Sequence, residues 1–223
     1  MSRENYSENK WLASLRRQVR LVLLLDAAEK TGLTPVPIIQ LHTLAYLSNV
    51  LAPVWDFEPM DGKLLKRLTG PFYPRLQIDL DRLVGLGVVF ISNINYMKDE
   101  KGRWRLDGRY RLNRNFAECI LDSIRSFPEE HRLILFIEEL TMAFSMLPEK
   151  NIDNAMRQDA IYGDTNVDID SVIDFDEWRK ENFSLNVTKA FEEFVLKESN
   201  KLLPAEKTHL YVDHLARKLY ACG

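Results

Sequence analysis

The stretch PRLQIDLDRLVGLGVVFISNINYMKDEKGRWRLDGRYRL, residues 74–112, changes its hydrophobic period partway along. Its first third carries apolar residues at helical spacing, namely Leu76, Leu80, Leu83 and Val84. This spacing predicts a helix over about 74–84. The β-branched and aromatic run that starts at Val88 predicts a strand, and the turn-forming residues 99–102 predict that this strand begins a β-hairpin.

The second strand of the hairpin alternates arginine with apolar residues. Its odd positions include Arg103, Arg105, Arg109 and Arg111, and its even positions include Trp104, Leu106, Tyr110 and Leu112. Because side chains alternate between the two faces of a strand, one face is expected to be basic and the other apolar. Asp107-Gly108 is also a hairpin signal, but a turn there would mix the two faces, so one continuous strand is favoured.

Two further helices precede this stretch. The first has the apolar stripe Leu12, Leu15, Val19, Val22 and Leu23, with a C-terminal cap at Gly32. The second begins near Pro37 and ends at Pro53. Residues 53–73 are predicted to be an irregular connection with one short helix, Lys63–Leu68.

The order helix, helix, helix, hairpin, helix is that of a winged helix-turn-helix domain. We therefore predict a mainly α (α+β) fold, with a winged-helix-like domain and β-hairpin wing over residues 1–115. Residues 116–223 are predicted to form a helical module with an acidic loop at about 163–181. Two helices are expected in this module over 115–127 and 152–161. Three more are expected to begin at Pro128, Val187 and Pro204.

Composition narrows the classes of protein that the chain can represent. Apolar residues make up 46% and charged residues 28%, as in ordinary globular proteins. Cys119 and Cys222 are too few for a disulfide framework or a zinc cluster, and they suggest a reducing compartment. No apolar run is long enough to span a membrane, and the polar start does not resemble a signal peptide. A cytoplasmic protein without membrane contact is expected.

Charge is distributed unevenly. Residues 1–60, 61–115 and 116–223 have net charges of 0, +6 and −9. A basic middle and an acidic end indicate two surfaces with different partners.

No constellation of catalytic residues is evident. The chain lacks a phosphate-binding loop, a dinucleotide fingerprint, a zinc-protease motif and a nucleophile elbow. Its four histidines are scattered, and we interpret them as solvated or capping residues. Residues 164–175 resemble a calcium loop at first, but Ile169 replaces the required glycine and Phe175 the bidentate glutamate. We expect no catalytic residue, no metal and no cofactor, and hence no enzyme.

The basic middle is the candidate DNA-binding surface. Its residues are Arg75, Arg82, Lys98, Lys101, Arg103, Arg105, Arg109 and Arg111. A surface that contacts the DNA backbone, a surface for an acidic protein and a merely solvated face all remain open for the hairpin. On the third helix, Asp79 is expected between Arg75 and Arg82, where it would repel phosphate and pair with its neighbours. This helix is therefore equally suited to a protein groove. Arg16, Arg17 and Arg20 are interpreted as an exposed helix face.

The acidic segment has apolar residues between its carboxylates, which is wasteful in a purely solvated loop. We interpret it either as a solvated loop or as a partner-docking segment, with metal chemistry a weak third option. The docking candidates are Ile169, Val172, Ile173, Phe175 and Trp178.

The stretch from Gly32 to Val89 resembles the small middle subunits of bacterial ABC-three-component defence systems. The segments LHTLAYLSNVLAPVW and GPFYPRLQIDLDRLVGLG carry the likeness, which is greatest to the accessory subunit of Lamassu-type antiphage and antiplasmid systems. The resemblance implies a non-enzymatic adaptor that binds a coiled-coil ATPase similar to structural-maintenance-of-chromosomes (SMC) proteins and an effector nuclease. Double-stranded DNA would be reached through this complex, and ATP would be bound by the partner. The alternative interpretation is an autonomous winged-helix transcription regulator.

Overall fold

The computed structural model describes residues 3–60, 63–98, 102, 104–148, 159, 162, 168–174, 186, 188–189 and 202–221. The helices are α1 (Arg3–Lys30), α2 (Ile38–Leu51), α3 (Pro74–Gly85), α4 (Arg114–Arg125), α5 (His131–Ser145) and α6 (Pro204–Ala221). The strands are β1 (Val36–Pro37), β2 (Lys63–Arg67), β3 (Gly70–Phe72), β4 (Val89–Lys98), β5 (Trp104–Leu112) and β6 (Val172–Asp174). The predicted α+β class is confirmed: the described chain is mostly helical, with two small antiparallel sheets.

The first helix ends where the sequence predicts. Gly32 adopts a left-handed conformation with φ of 76°, which glycine tolerates without strain. Its N–H donates to the carbonyl of Glu29, and the N–H of Leu33 donates to that of Ala28. These bonds close the end of α1 as in a Schellman motif. The predicted apolar stripe is wrong at its start, because Leu12 and Leu15 are each 41% exposed.

The core is built around α1 and α2, whose residues 21–25 and 41–51 are all buried. Helix α5 packs against both and against α6. The hydroxyls of Tyr46 on α2 and Tyr211 on α6 both donate to the buried carboxylate of Asp159. Residues from both the N-terminal and C-terminal halves therefore contribute to one buried cluster.

The first sheet has the strand order β1-β5-β4. The predicted hairpin and the continuous second strand are confirmed, since β5 pairs with β4 along its whole length. The register shifts by one residue between Ser92 and Asn95, so a β-bulge on β4 faces Gly108. A Cβ at position 108 would lie 2.9 Å from Cδ1 of Ile91. Glycine at this position thus permits close packing of the hairpin and does not form a turn.

The second sheet has the strand order β3-β2-β6. The prediction of a short helix at Lys63–Leu68 is therefore wrong. Strand β2 occupies most of that stretch, and it pairs with β3 and with the distant β6. Leu64 is buried and lies opposite Ile173. This long-range pairing outweighs the local helical preference of the sequence.

The helices predicted near residue 115, at Pro128 and at Pro204 are confirmed as α4, α5 and α6. Helix α5 begins after a 3-10 turn at Pro128–Glu130, and it buries Leu133, Phe136, Leu140 and Phe144. Leu135 and Met142 are exposed, so one face of α5 lies at the surface. The predicted helix over 152–161 and most of the one beginning at Val187 lie outside the described residues.

Candidate nucleic-acid interface

The exposed face of the first sheet carries two of the predicted arginines. Arg109 and Arg111 are both exposed on β5, and two residues apart they share one face. The guanidinium carbon of Arg111 lies 4.8 Å from the ring centroid of Phe90, which is opposite it on β4. This stacking leaves the N–H groups at the guanidinium edge able to bind phosphate.

The rest of the arginine row is described only in part. Lys101 and Arg103 lie outside the described residues, as does the side chain of Arg105, whose backbone pairs with Met97. Asp107 occupies an odd position between Arg105 and Arg109 and is half-buried. An acidic residue therefore interrupts the expected row of four arginines.

Helix α3 presents Arg75 and Arg82 to solvent, but Asp79 does not lie between them as expected. Asp79 is 1% exposed and faces α1, where its Oδ2 lies 2.6 Å from Nε of Arg17. The Oγ of Ser14 donates to the other carboxylate oxygen, and Arg82 also lies within 3.5 Å of it. The expected position of Asp79 on the exposed side of α3 is therefore wrong, because the carboxylate is buried, whereas its expected pairing with a neighbour is confirmed for Arg82.

The interpretation of the α1 arginines as an exposed face is also wrong for two of the three. Arg17 is buried against Asp79, and Arg20 donates through Nη2 to the carbonyl of Glu58 at 2.7 Å. Burial lowers the pKa of Arg20 to about 10, with Glu130 opposing this shift and Arg16 reinforcing it. Only Arg16 is exposed.

The tip of the hairpin departs from the predicted two-faced pattern. Tyr110 and Leu112 are buried as the even positions predict, but Trp104 is 66% exposed. Residues 93–98 of the paired strand β4 are exposed as well, so the tip of the hairpin is not covered by the core. The Nζ of Lys98 lies 4.8 Å from the ring centroid of Trp104. The alternation of residue types could not predict that Trp104 is exposed. It indicates on which face of the strand a side chain lies, but not whether that face is covered by the core.

Beneath the hairpin tip lies a chain of hydrogen bonds through His42, Gln77 and Asp81 that the sequence did not predict. His42 is buried, and its Nδ1 accepts a hydrogen bond from the backbone N–H of Tyr73. Its Nε2 lies 3.2 Å from Oε1 of Gln77, and Nε2 of Gln77 donates to Asp81 at 2.9 Å. Burial lowers the pKa of His42 to about 4; the Gln77 bond opposes this shift and the charge of Arg67 reinforces it. A neutral imidazole is thus fixed with its proton on Nε2, contrary to the solvated or capping role expected.

The candidate docking residues divide into three groups. Ile169 and Val172 are exposed, while Ile173 is 2% exposed and belongs to the hydrophobic core. Phe175 and Trp178 lie outside the described residues. The expectation that Ile173 docks a partner is therefore wrong, because β6 buries it against β2.

Comparison with known proteins finds no protein-family model and no curated protein that matches this chain. Among the described residues, none of the helices combines the length and apolarity needed to cross a membrane. Within the same residues, histidines, cysteines and carboxylates do not form a group of three or more that could hold a metal ion.

Proposed function

We propose that this chain is a non-enzymatic adaptor whose winged-helix-like part contacts the DNA backbone. Its strand order supports this assignment, because β1 between the first two helices pairs with the hairpin that follows α3. The contacting residues are those exposed on α3 and on the outer face of the hairpin: Arg75, Arg82, Arg109 and Arg111.

The observation that carries the proposal is the inward orientation of Asp79. With this carboxylate buried against Arg17, the exposed surface of α3 loses an acidic group that would repel phosphate. Arginine side chains on a rigid helix and a stacked strand then provide contacts that depend little on sequence.

The partners follow from the resemblance of Gly32–Val89 to the middle subunits of ABC-three-component systems. We propose that the chain joins an SMC-like coiled-coil ATPase to an effector nuclease in a cytoplasmic defence complex. ATP hydrolysis and DNA cleavage would belong to those subunits. Exposed Ile169 and Val172 are the described residues that support a docking surface on the acidic half.

The test is the salt dependence of duplex binding by the full chain. Each arginine that contacts phosphate contributes about 0.9 to the slope of log affinity against log salt concentration. R109Q/R111Q is expected to weaken binding for all duplex sequences and to flatten the slope by up to about 2.

The double variant R132Q/R217Q is the matched control, because it removes two exposed arginines elsewhere with the same change in charge. An R109Q/R111Q slope equal to that of this control would refute the interface. Binding to one preferred sequence only would favour the transcription regulator instead.

A further inference from the structure

A cavity of about 400 Å³ lies where four elements meet: the hairpin tip, the start of α2, the β2–β3 hairpin and α3. This volume is in the range of small-ligand sites. Apolar side chains form much of its wall, among them Ile39, Phe72, Met97 and Trp104. The cavity adjoins the proposed DNA-binding elements, since both α3 and the hairpin contribute to it.

Trp104 gives the cavity an aromatic surface. Its indole is 66% exposed, and Lys98 lies over the ring. An exposed indole stacks readily on a flat heterocycle, and a nearby ammonium group adds attraction for the phosphate attached to such a ring.

The polar side chains that line the cavity include two cationic donors, Arg67 and Lys98, and two acidic acceptors. The carboxylates of Asp81 and Asp107 both line it. Asp81 is oriented by the bond from Gln77, which is itself held by the buried His42. Ionised carboxylates only accept hydrogen bonds, so they match the exocyclic amino groups of adenine, cytosine and guanine. Thymine has no such group.

We propose that this cavity binds a single amino-bearing nucleobase, which stacks on Trp104 and donates to Asp81. The base would come from an unpaired position in DNA or from a free nucleotide. The DNA source rests on the proposed function, because the arginine surface would bring the strand to the cavity.

The experiment measures binding of the full chain to labelled duplexes of equal length by fluorescence anisotropy. The duplexes are fully paired or carry one extra adenine, thymine or abasic position. Stacking of one base corresponds to roughly 5- to 150-fold in affinity. The adenine bulge is therefore expected to bind tighter than the abasic bulge by a factor in this range, and tighter than the thymine bulge.

Two variants assign the effect to the cavity. W104A should abolish the preference for adenine over the abasic position, while W104F, which keeps an aromatic ring, should retain most of it. D81N should reduce the discrimination between adenine and thymine. Both residues are exposed, so these variants should remain folded.

Adenosine monophosphate, added as a competitor, distinguishes the two sources. Competition that W104A removes shows that a free nucleotide binds; a bulge preference without competition assigns the site to DNA. Equal affinity for adenine and abasic bulges together with no nucleotide binding overturns the base site, even if duplex binding retains its arginine-dependent salt slope. Nucleotide binding without duplex binding supports the cavity and refutes the proposed DNA interface.

Discussion

Nε of Arg17 on α1 lies 2.6 Å from Oδ2 of Asp79 on α3, and both side chains are buried. The Oγ of Ser14 donates to the other carboxylate oxygen at 2.5 Å. This ion pair joins α1 to α3 through two residues that are 62 positions apart in the chain. It also fixes the rotation of α3, so that Arg75 and Arg82 remain on the outer surface.

We expect D79A to lower the free energy of unfolding by about 3–5 kcal/mol, because it leaves the Arg17 guanidinium buried without its counter-charge. Urea denaturation measures this change. D81N is the matched control on the same helix, where the exposed carboxylate should change stability by no more than about 0.5 kcal/mol. Equal losses in the two variants would show that the buried pair does not hold α3.

Neighbouring residues of β6 provide a second test. I173A should destabilise the protein by about 2–5 kcal/mol, because the side chain is buried against β2. V172A removes an exposed side chain and should cost less than about 1 kcal/mol. Thermal denaturation of the two variants gives the comparison. A stability of I173A equal to that of V172A would show that β6 does not pack as described.

The sequence predicted elements whose determinants are local. The helix at α3 follows from its apolar spacing, the end of α1 from Gly32, and the β4–β5 hairpin from its change of period. These features depend on residues close together in the chain, so periodicity and capping rules identify them.

The features that the sequence did not predict depend on distant residues. Strand β2 is stabilised by pairing with β6, more than 100 residues later. Asp79 on α3 is buried because Arg17 on α1 lies opposite it. The hydrogen bonds of His42 on α2 form because Gln77 on α3 lies next to this histidine. Neither partner can be assigned before the helices are placed in three dimensions.

Asp26 on α1 predicts a pH effect in the acid range. Its carboxylate binds Lys30 and Arg114 at 2.9 and 2.7 Å and lies 3.3 Å from Arg125. Burial opposes ionisation, but the bonds from Lys30 and Arg114 outweigh it and lower the pKa of Asp26. The unfolded chain therefore binds a proton at this residue at higher pH than the folded one, and the contribution of Asp26 to stability is lost as pH falls below about 3.9.

D26N should consequently lower the free energy of unfolding at neutral pH by about 2–4 kcal/mol. Its difference from the wild type should shrink in acid. D122N is the control, because Asp122 contacts Arg125 from an exposed position and should contribute less than about 1 kcal/mol. Chemical denaturation over a pH series measures both variants. A D26N deficit that stays constant with pH would contradict the lowered pKa.

Protonation of His42 should lower stability at a less acidic pH than protonation of Asp26 does. The unfolded chain binds a proton at this residue near pH 6.5, whereas burial lowers the pKa in the folded state to about 4. Between these values the unfolded state binds more protons, so the free energy of unfolding falls as pH decreases. The slope approaches about 1.4 kcal/mol per pH unit.

H42Q cannot titrate and should lack this component, so the wild-type stability minus that of H42Q should decline from pH 6.5 to pH 4. Parallel profiles for the wild type and H42Q would show that His42 binds its proton equally in both states.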